Sequence, residues 1–108
     1  MKVFITGGAG LLGSALLRTI PEHITTFATF HENTLLPKIN GVTFLRVDIR
    51  DALRVKKVLQ EVQPDVIIHT AAKGSPDFCE FHQKDAWDIN VIGTRNILRV
   101  AQKIGSRV

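Results

Sequence analysis

Tyrosine does not occur in this chain, and cysteine, methionine and tryptophan occur once each. The lone cysteine, Cys79, excludes a disulfide framework and a cysteine-rich zinc site, because both need several thiols. No stretch reaches the roughly 18 consecutive apolar residues that a membrane-spanning helix requires. The chain starts with one lysine and a short apolar run straight into glycines, without the longer apolar region and cleavage site of a secretory signal. These absences point to a cytoplasmic protein with no membrane partner. Internal repeats, low-complexity tracts and linkers are missing too. Apolar residues make up 44% and charged residues 22%, an ordinary globular balance that argues against disorder. A length of 108 residues suits one domain and excludes two.

The formal net charge is +4, and its densest part is Arg46, Arg50, Arg54, Lys56 and Lys57. No aromatic platform is interleaved with these cations. They read as a solvated helix face, and nucleic acid is not expected as a partner.

What is present alternates in period. Lys2 to Thr6 (KVFIT) reads as a buried strand. Leu11, Leu12, Ala15, Leu16 and Ile20 follow at helical spacing, and Pro21 stops the helix. Residues 24–30 (ITTFATF) form a second strand and residues 42–47 (VTFLRV) a third. Between them, residues 31–41 hold no helix pattern. Asp51 is placed to cap a helix carrying Leu53, Val55, Val58, Leu59 and Val62. Residues 65–70 (DVIIHT) are the fourth strand, and residues 73–81 read as a loop. A long last helix carries Trp87, Val91, Thr94, Leu98 and Ala101 on one stripe, with Gly105 as its C-terminal cap. Strands alternating with helices imply an α/β fold of the Rossmann type, three layers around a parallel sheet in the order 3-2-1-4. Residues 105–108 read as a loop into a fifth strand that is not supplied. That would leave the fourth strand with an open apolar edge.

The strongest local signal is Thr6-Gly7-Gly8-Ala9-Gly10-Leu11-Leu12-Gly13, set between a strand and a helix. It fits G-x-G-x-x-G in the register Gly8, Gly10, Gly13. An early glycine allows the tight turn, Gly10 leaves room for a pyrophosphate, and Gly13 lets helix and strand pack closely. The helix start then offers free N–H groups to the anion. A P-loop is disfavoured, because no lysine precedes Ser14. Dinucleotide folds often place an acidic residue about 20 residues on, against the ribose 2′-hydroxyl. Glu32 is in place for that role, while His31, nearer the strand tip, suits a 2′-phosphate. The cofactor is therefore NADP(H) or NAD(H), and His31 leans the reading to NADP(H).

These residues resemble the extended short-chain dehydrogenase/reductases. The likeness rests on residues 6–13, on Val47-Asp48-Ile49-Arg50-Asp51, on Pro64-Asp65-Val66-Ile67-Ile68-His69-Thr70-Ala71-Ala72, and on Asp88-Ile89-Asn90-Val91-Ile92-Gly93-Thr94-Arg95-Asn96. Pro76-Asp77-Phe78-Cys79-Glu80, Ala86-Trp87-Asp88-Ile89-Asn90 and the short connection at 31–41 resemble the dTDP-4-dehydrorhamnose reductase branch. The resemblance implies an NAD(P)H-dependent reductase of a nucleotide-linked 4-keto sugar, possible as a homodimer. It implies that Gly7, Gly10, Leu11, Leu12 and Gly13 line the pyrophosphate. Asp48 and Ile49 would meet adenine, and Ala71, Ala72 and Lys73 would pass under the cofactor. Asn90 would bond the strand carrying His69, itself read as a satisfied core histidine. Asp77 and Glu80 suggest a cation or subunit contact, against plain surface solvation. Cys79 is read as packing. No catalytic or metal residue is assigned, because the family's proton donor is a tyrosine four residues before a lysine. That pair is expected after Val108, so these 108 residues read as the dinucleotide-binding half of a longer enzyme. Two alternatives stay open: a nucleotide-sugar epimerase or dehydratase, and a non-catalytic NADP-binding regulatory subunit resembling that of methionine adenosyltransferase.

Overall fold

The apolar run at the start of the chain forms β1 (Lys2–Thr6), the strand on which the sheet is centred. The computed structural model describes residues 1–32, 35–72 and 76–108, without the side chains of residues 76–78. β2 (Thr25–Phe30), β3 (Val42–Arg46) and β4 (Val66–His69) complete a sheet in the order β3-β2-β1-β4. Every pairing is parallel, and the register sets Val3 beside Val66 and Thr6 beside His69. The order is the one the sequence implies.

The central strand β1 buries side chains on both faces, as a parallel sheet covered on both sides requires. Val3, Ile5 and Ala28 point to one face and pack with Leu17 of α1 (Leu11–Thr19). Phe4 and Ile67 point to the other. There they meet Val55, Val58, Leu59 and Val62 of α2 (Ala52–Val62) and Ile97, Val100 and Ala101 of α5 (Thr94–Ile104). Burying each of the larger aliphatic side chains contributes about 1.5–3 kcal/mol. Asp51 caps α2 as expected, its carboxylate accepting the Arg54 N–H at 3.1 Å. That helix ends at Gln63 in the left-handed region, one residue before Pro64.

Several expectations need correction. Residues 76–81, read as loop, form a short helix, α3 (Pro76–Phe81), with proline at the first position where its missing N–H costs nothing. Residues 73–75 lie outside the described residues. The long last helix is α4 (Gln83–Trp87), a π-helical segment (Asp88–Gly93) and α5 in succession. Its expected inner stripe is wrong in part: Trp87, Val91 and Leu98 are exposed, and the buried positions are Ala86, Gly93, Asn96, Ile97, Val100 and Ala101. The inner stripe is rich in small residues because the helix lies close on the layer below. A Cβ on Gly93 would come within 2.6 Å of the Ile49 side chain. In α1 the buried residues are Gly13 and Leu17, while Leu11, Leu12 and Ala15 face out. Leu53 of α2 is likewise exposed.

The outer edge of β4 is not wholly open. Gly105 adopts φ 76°, and its N–H closes α5 on the Ala101 carbonyl. That left-handed turn sends the chain back along the sheet. Arg107 then donates its N–H to the Asp65 carbonyl at 3.0 Å and accepts the Ile67 N–H at 2.7 Å, in a parallel bridge beside Val66.

Asn96 is one of few buried polar side chains among the described residues. Its amide donates to the Ile49 carbonyl at 2.9 Å and to the Arg50 carbonyl at 3.2 Å, tying α5 to the segment after β3. Asn96→Ala should cost about 1–3 kcal/mol, because those carbonyls lose their buried donor. Urea unfolding followed by circular dichroism measures it. A loss under about 0.5 kcal/mol, the range of ordinary surface changes, would show that the segment is anchored elsewhere.

Candidate functional site

Parallel strands end on the same rim, so the segments leaving β1, β2, β3 and β4 converge there, beside the point where strand order reverses. An open cleft of about 280 Å³ lies on that rim. Gly7, Ala9 and Gly10 form one side, and the ends of β2 and β3 form another through residues 29–32 and 47–49. Ala71, Ala72 and Ile89 complete it.

The glycines divide the work of the loop. Gly7 has φ +74°, and a Cβ there would strike the Ala71 backbone nitrogen at 2.8 Å. A Cβ on Gly8 would meet Ala28 at 2.8 Å, and one on Gly13 would sit 2.1 Å from the Gly7 carbonyl oxygen. Strand, loop and helix are thus in backbone contact. Gly10 differs: a Cβ there meets only the Gly7 carbonyl, at 3.3 Å. Gly10 is also the N-cap of α1, which has no side-chain cap and no acidic residue in its first turn. First-turn N–H groups lack intrahelical partners, and the helix dipole makes this end attractive to an anion.

At the far end of the cleft, Asp48 is gripped by Arg50. Oδ1 accepts the Arg50 backbone N–H at 3.0 Å and Nε at 2.9 Å, and Oδ2 accepts the terminal guanidinium nitrogen at 2.8 Å. His31 Nε2 stands 3.6 Å from the same Oδ2. The hydrogen-bonded Arg50 guanidinium holds the Asp48 carboxyl below its usual range, against a smaller opposing effect of burial. Asp48 therefore both caps the turn at Arg50 and lines the cleft.

Under the cleft, His69 is half-buried. Its Nδ1 lies 2.6 Å from Thr6 Oγ1 and its Nε2 2.8 Å from Thr94 Oγ1, so both ring nitrogens are partnered. Burial pushes its pKa down. The hydroxyl that ties the last helix to this strand is that of Thr94, the residue four positions after Asn90.

Of the residues singled out in the sequence, Gly7, Gly10, His31, Glu32, Asp48, Ile49, Ala71 and Ala72 line the cleft. Leu11, Leu12, Gly13 and Asn90 do not. Leu11 and Leu12 are exposed on α1, Gly13 is buried against the loop, and Asn90 is half-buried in the π-helical segment. Lys73 and the Asp77 side chain lie outside the described residues. Cys79 is half-buried. Among the described residues no cluster of metal-ligating side chains occurs, and no helix is long and apolar enough to cross a membrane. Sequence reasoning missed Ala9, Thr29, Phe30, Val47 and Ile89 as cleft residues. The strand ends among them were accessible from topology alone, since ligands of such sheets lie at the carboxyl ends.

Residues 3–108 match the family model described as the NAD dependent epimerase/dehydratase family. The dTDP-glucose 4,6-dehydratase of Salmonella typhimurium is 29% identical over 116 residues, covering 98% of this chain and 32% of that protein. The structure of Thermus thermophilus UDP-glucose 4-epimerase in complex with NAD superposes with a TM-score of 0.87 at 29% identity, over 97% of this chain and 35% of that one. Similar too is the dTDP-4-dehydrorhamnose reductase of Bacillus anthracis str. Ames in complex with NADP. Its TM-score is 0.77 at 29% identity, over 97% of this chain and 33% of that one. The chain spans about a third of the length of the relatives it matches.

The Asp48–Arg50 pair makes a prediction in acid. The folded carboxyl holds its proton less tightly than the ordinary value of 3.8, so folding gains stability above that value and loses it as pH falls through the lower folded one. Arg50→Gln should be less stable than the native chain at neutral pH. The gap should narrow as pH drops below about 4. Urea midpoints across pH test this, and a gap constant with pH would show that the pair adds no linked stability.

Proposed function

This chain belongs to the NAD dependent epimerase/dehydratase family, and from that premise we propose that its cleft holds the dinucleotide of an NAD(P)H-dependent reductase. The substrate of that reductase is a nucleotide-linked 4-keto sugar, as for the dTDP-4-dehydrorhamnose reductases. The observation that carries the cofactor half is the start of α1. It is uncapped, free of acidic side chains and opened by Gly7 and Gly10, so it suits a pyrophosphate. Val47, Ile49 and Ile89 give the cleft apolar surface suited to a purine. His31, beside a carboxylate whose charge Arg50 largely takes up, favours NADP(H), while Glu32 keeps NAD(H) in play.

A bound nicotinamide supplies the hydride. The residues of this chain bind and orient: the loop at 7–13 holds the phosphates, and the Ala71 and Ala72 backbone walls the cleft. With no tyrosine among the 108 residues, the proton donor and the sugar site are assigned to the rest of a longer protein. An epimerase or dehydratase would share this cofactor half. The reductase reading is favoured by the short β2–β3 connection, which carries no helix among its described residues.

Calorimetry with NADPH and NADH tests the cofactor. Gly10→Val places a branched side chain on the open side of the loop and should weaken binding by about tenfold or more, roughly 1.4 kcal/mol, with circular dichroism unchanged. Unaltered affinity would sink the loop assignment. The 108-residue chain should show no keto-sugar-dependent oxidation of either dinucleotide above a protein-free control. Measurable turnover would place a proton donor inside these residues and overturn the division of labour.

A further inference from the structure

His69 lies in a hydrogen-bond chain whose direction is fixed by counting donors. Thr6 Oγ1 accepts the N–H of Thr70 and the N–H of Ala71, each at 3.1 Å. A hydroxyl has two lone pairs and one proton, so its remaining contact, His69 Nδ1 at 2.6 Å, must receive that proton. A neutral imidazole with an accepting Nδ1 carries its hydrogen on Nε2. That hydrogen goes to Thr94 Oγ1 at 2.8 Å, and Thr94 donates in turn to the Asn90 carbonyl at 2.7 Å. The sequence of donations runs one way, from the backbone of Ala71 to the π-helical turn. One end lies on the cleft, which Ala71 lines, and the other is the Asn90 carbonyl, next in the chain to the cleft residue Ile89. Thr6 is fully buried and directly precedes Gly7.

We infer that His69 is a positioning residue of this cleft, locked as the Nε2–H tautomer, and that adding a second proton at Nδ1 breaks the chain and weakens dinucleotide binding. The inference rests on the dinucleotide reading above. A proton on Nδ1 would face a hydroxyl whose lone pairs are already filled. Thr6 would then have to release the Thr70 N–H, which also reaches the Thr6 carbonyl at 3.3 Å, or the Ala71 N–H, or leave the ring unpaired, and each ends the one-way run of donations that starts at Ala71. The ring is met by Thr6 of β1 and Thr94 of α5, neither charged, with the Asn90 backbone beyond Thr94. Among the described residues no charged group shifts its titration, and burial alone holds it below the ordinary 6.5. The break therefore comes on the acid side of that value.

Nitrogen-15 spectra of the 108-residue chain, titrated from about pH 7.5 to about pH 4.5 across the ordinary imidazole range, read the chain of bonds without any nucleotide. The expected result is a protonated Nε2 and a bare Nδ1 at the upper end, with the Ala71 and Thr94 amide signals moving at the midpoint of the ring. A proton on Nδ1 in the neutral form, or amide signals flat through that midpoint, overturns the inference. Calorimetry with NADH and NADPH then reads the coupling. Affinity should fall by about fivefold or more across the same range, the scale of an ordinary coupling between sites. His69→Gln retains a side-chain N–H for Thr94 and has no titrating ring, so it should lose that fall. His31 and Glu32 remain in the variant, so the difference between the two profiles belongs to His69. Equal pH profiles overturn the coupling. A ring and amides that titrate as expected in a chain binding neither dinucleotide at any pH would refute the proposed cofactor and leave the bond chain standing. If the variant fails to fold, the native titration still decides the tautomer and the bond chain.

Discussion

The Gly7 carbonyl oxygen occupies the space that a side chain on residue 13 would need, 2.1 Å from the position of its Cβ. Most of the site follows from that contact. Helix α1 lies against the end of β1 with nothing between the backbones, so its first turn opens onto the rim of the sheet. Gly7 must then turn sharply at φ +74°, and the turn brings it against the Ala71 backbone just beyond the neighbouring strand. A single side chain at position 13 would lift the helix, relax the turn and separate the loop from β4. The cleft is a by-product of close packing, and the close packing is a property of glycine.

The two helices that start on this rim contrast in how they begin. Asp51 places a carboxylate on the Arg54 N–H of α2, so that helix satisfies its own first turn. α1 starts at Gly10 with no side-chain cap and no acid. Uncapped starts leave donors to water or to a ligand. The difference is local in sequence, one aspartate against one glycine, and it decides which helix end is suited to an anion. The Asp48 carboxylate, at the far end of the cleft, is drawn aside by Arg50 and does not oppose this.

Much of this was legible in the residues themselves. Alternation between apolar runs and helical spacing located all four strands to within a residue or two. The glycine spacing alone pointed to Gly7, Gly10 and Gly13. What periodicity misread was which stripe of a helix turns inward. Trp87, Val91 and Leu98 face out, while the inner stripe uses Ile97 and Val100 together with Gly93, Ala101 and the amide of Asn96. Gly93 carries little hydrophobic signal, yet the close approach to Ile49 depends on it. Asn96 escaped for a related reason. Its value lies in two carbonyls of residues nearly fifty positions away, and no local pattern reports a long-range donor.

His69 shows how far a sequence reading goes and where geometry must take over. A histidine on a buried strand is ordinarily a satisfied core residue, and here both its nitrogens are indeed satisfied. What spacing cannot convey is polarity. Thr6, Thr70 and Ala71 come from the ends of two adjacent parallel strands, and Thr94 from a helix twenty-five residues further on. Only their assembly around one hydroxyl fixes the side of the ring that carries the proton. A ring so fixed is more than filler, because its neutral form accepts the proton of the same hydroxyl that receives the Ala71 N–H. The same glycine-driven approach that brings Gly7 against Ala71 therefore makes the wall of the cleft answer to the protonation of a residue beneath it.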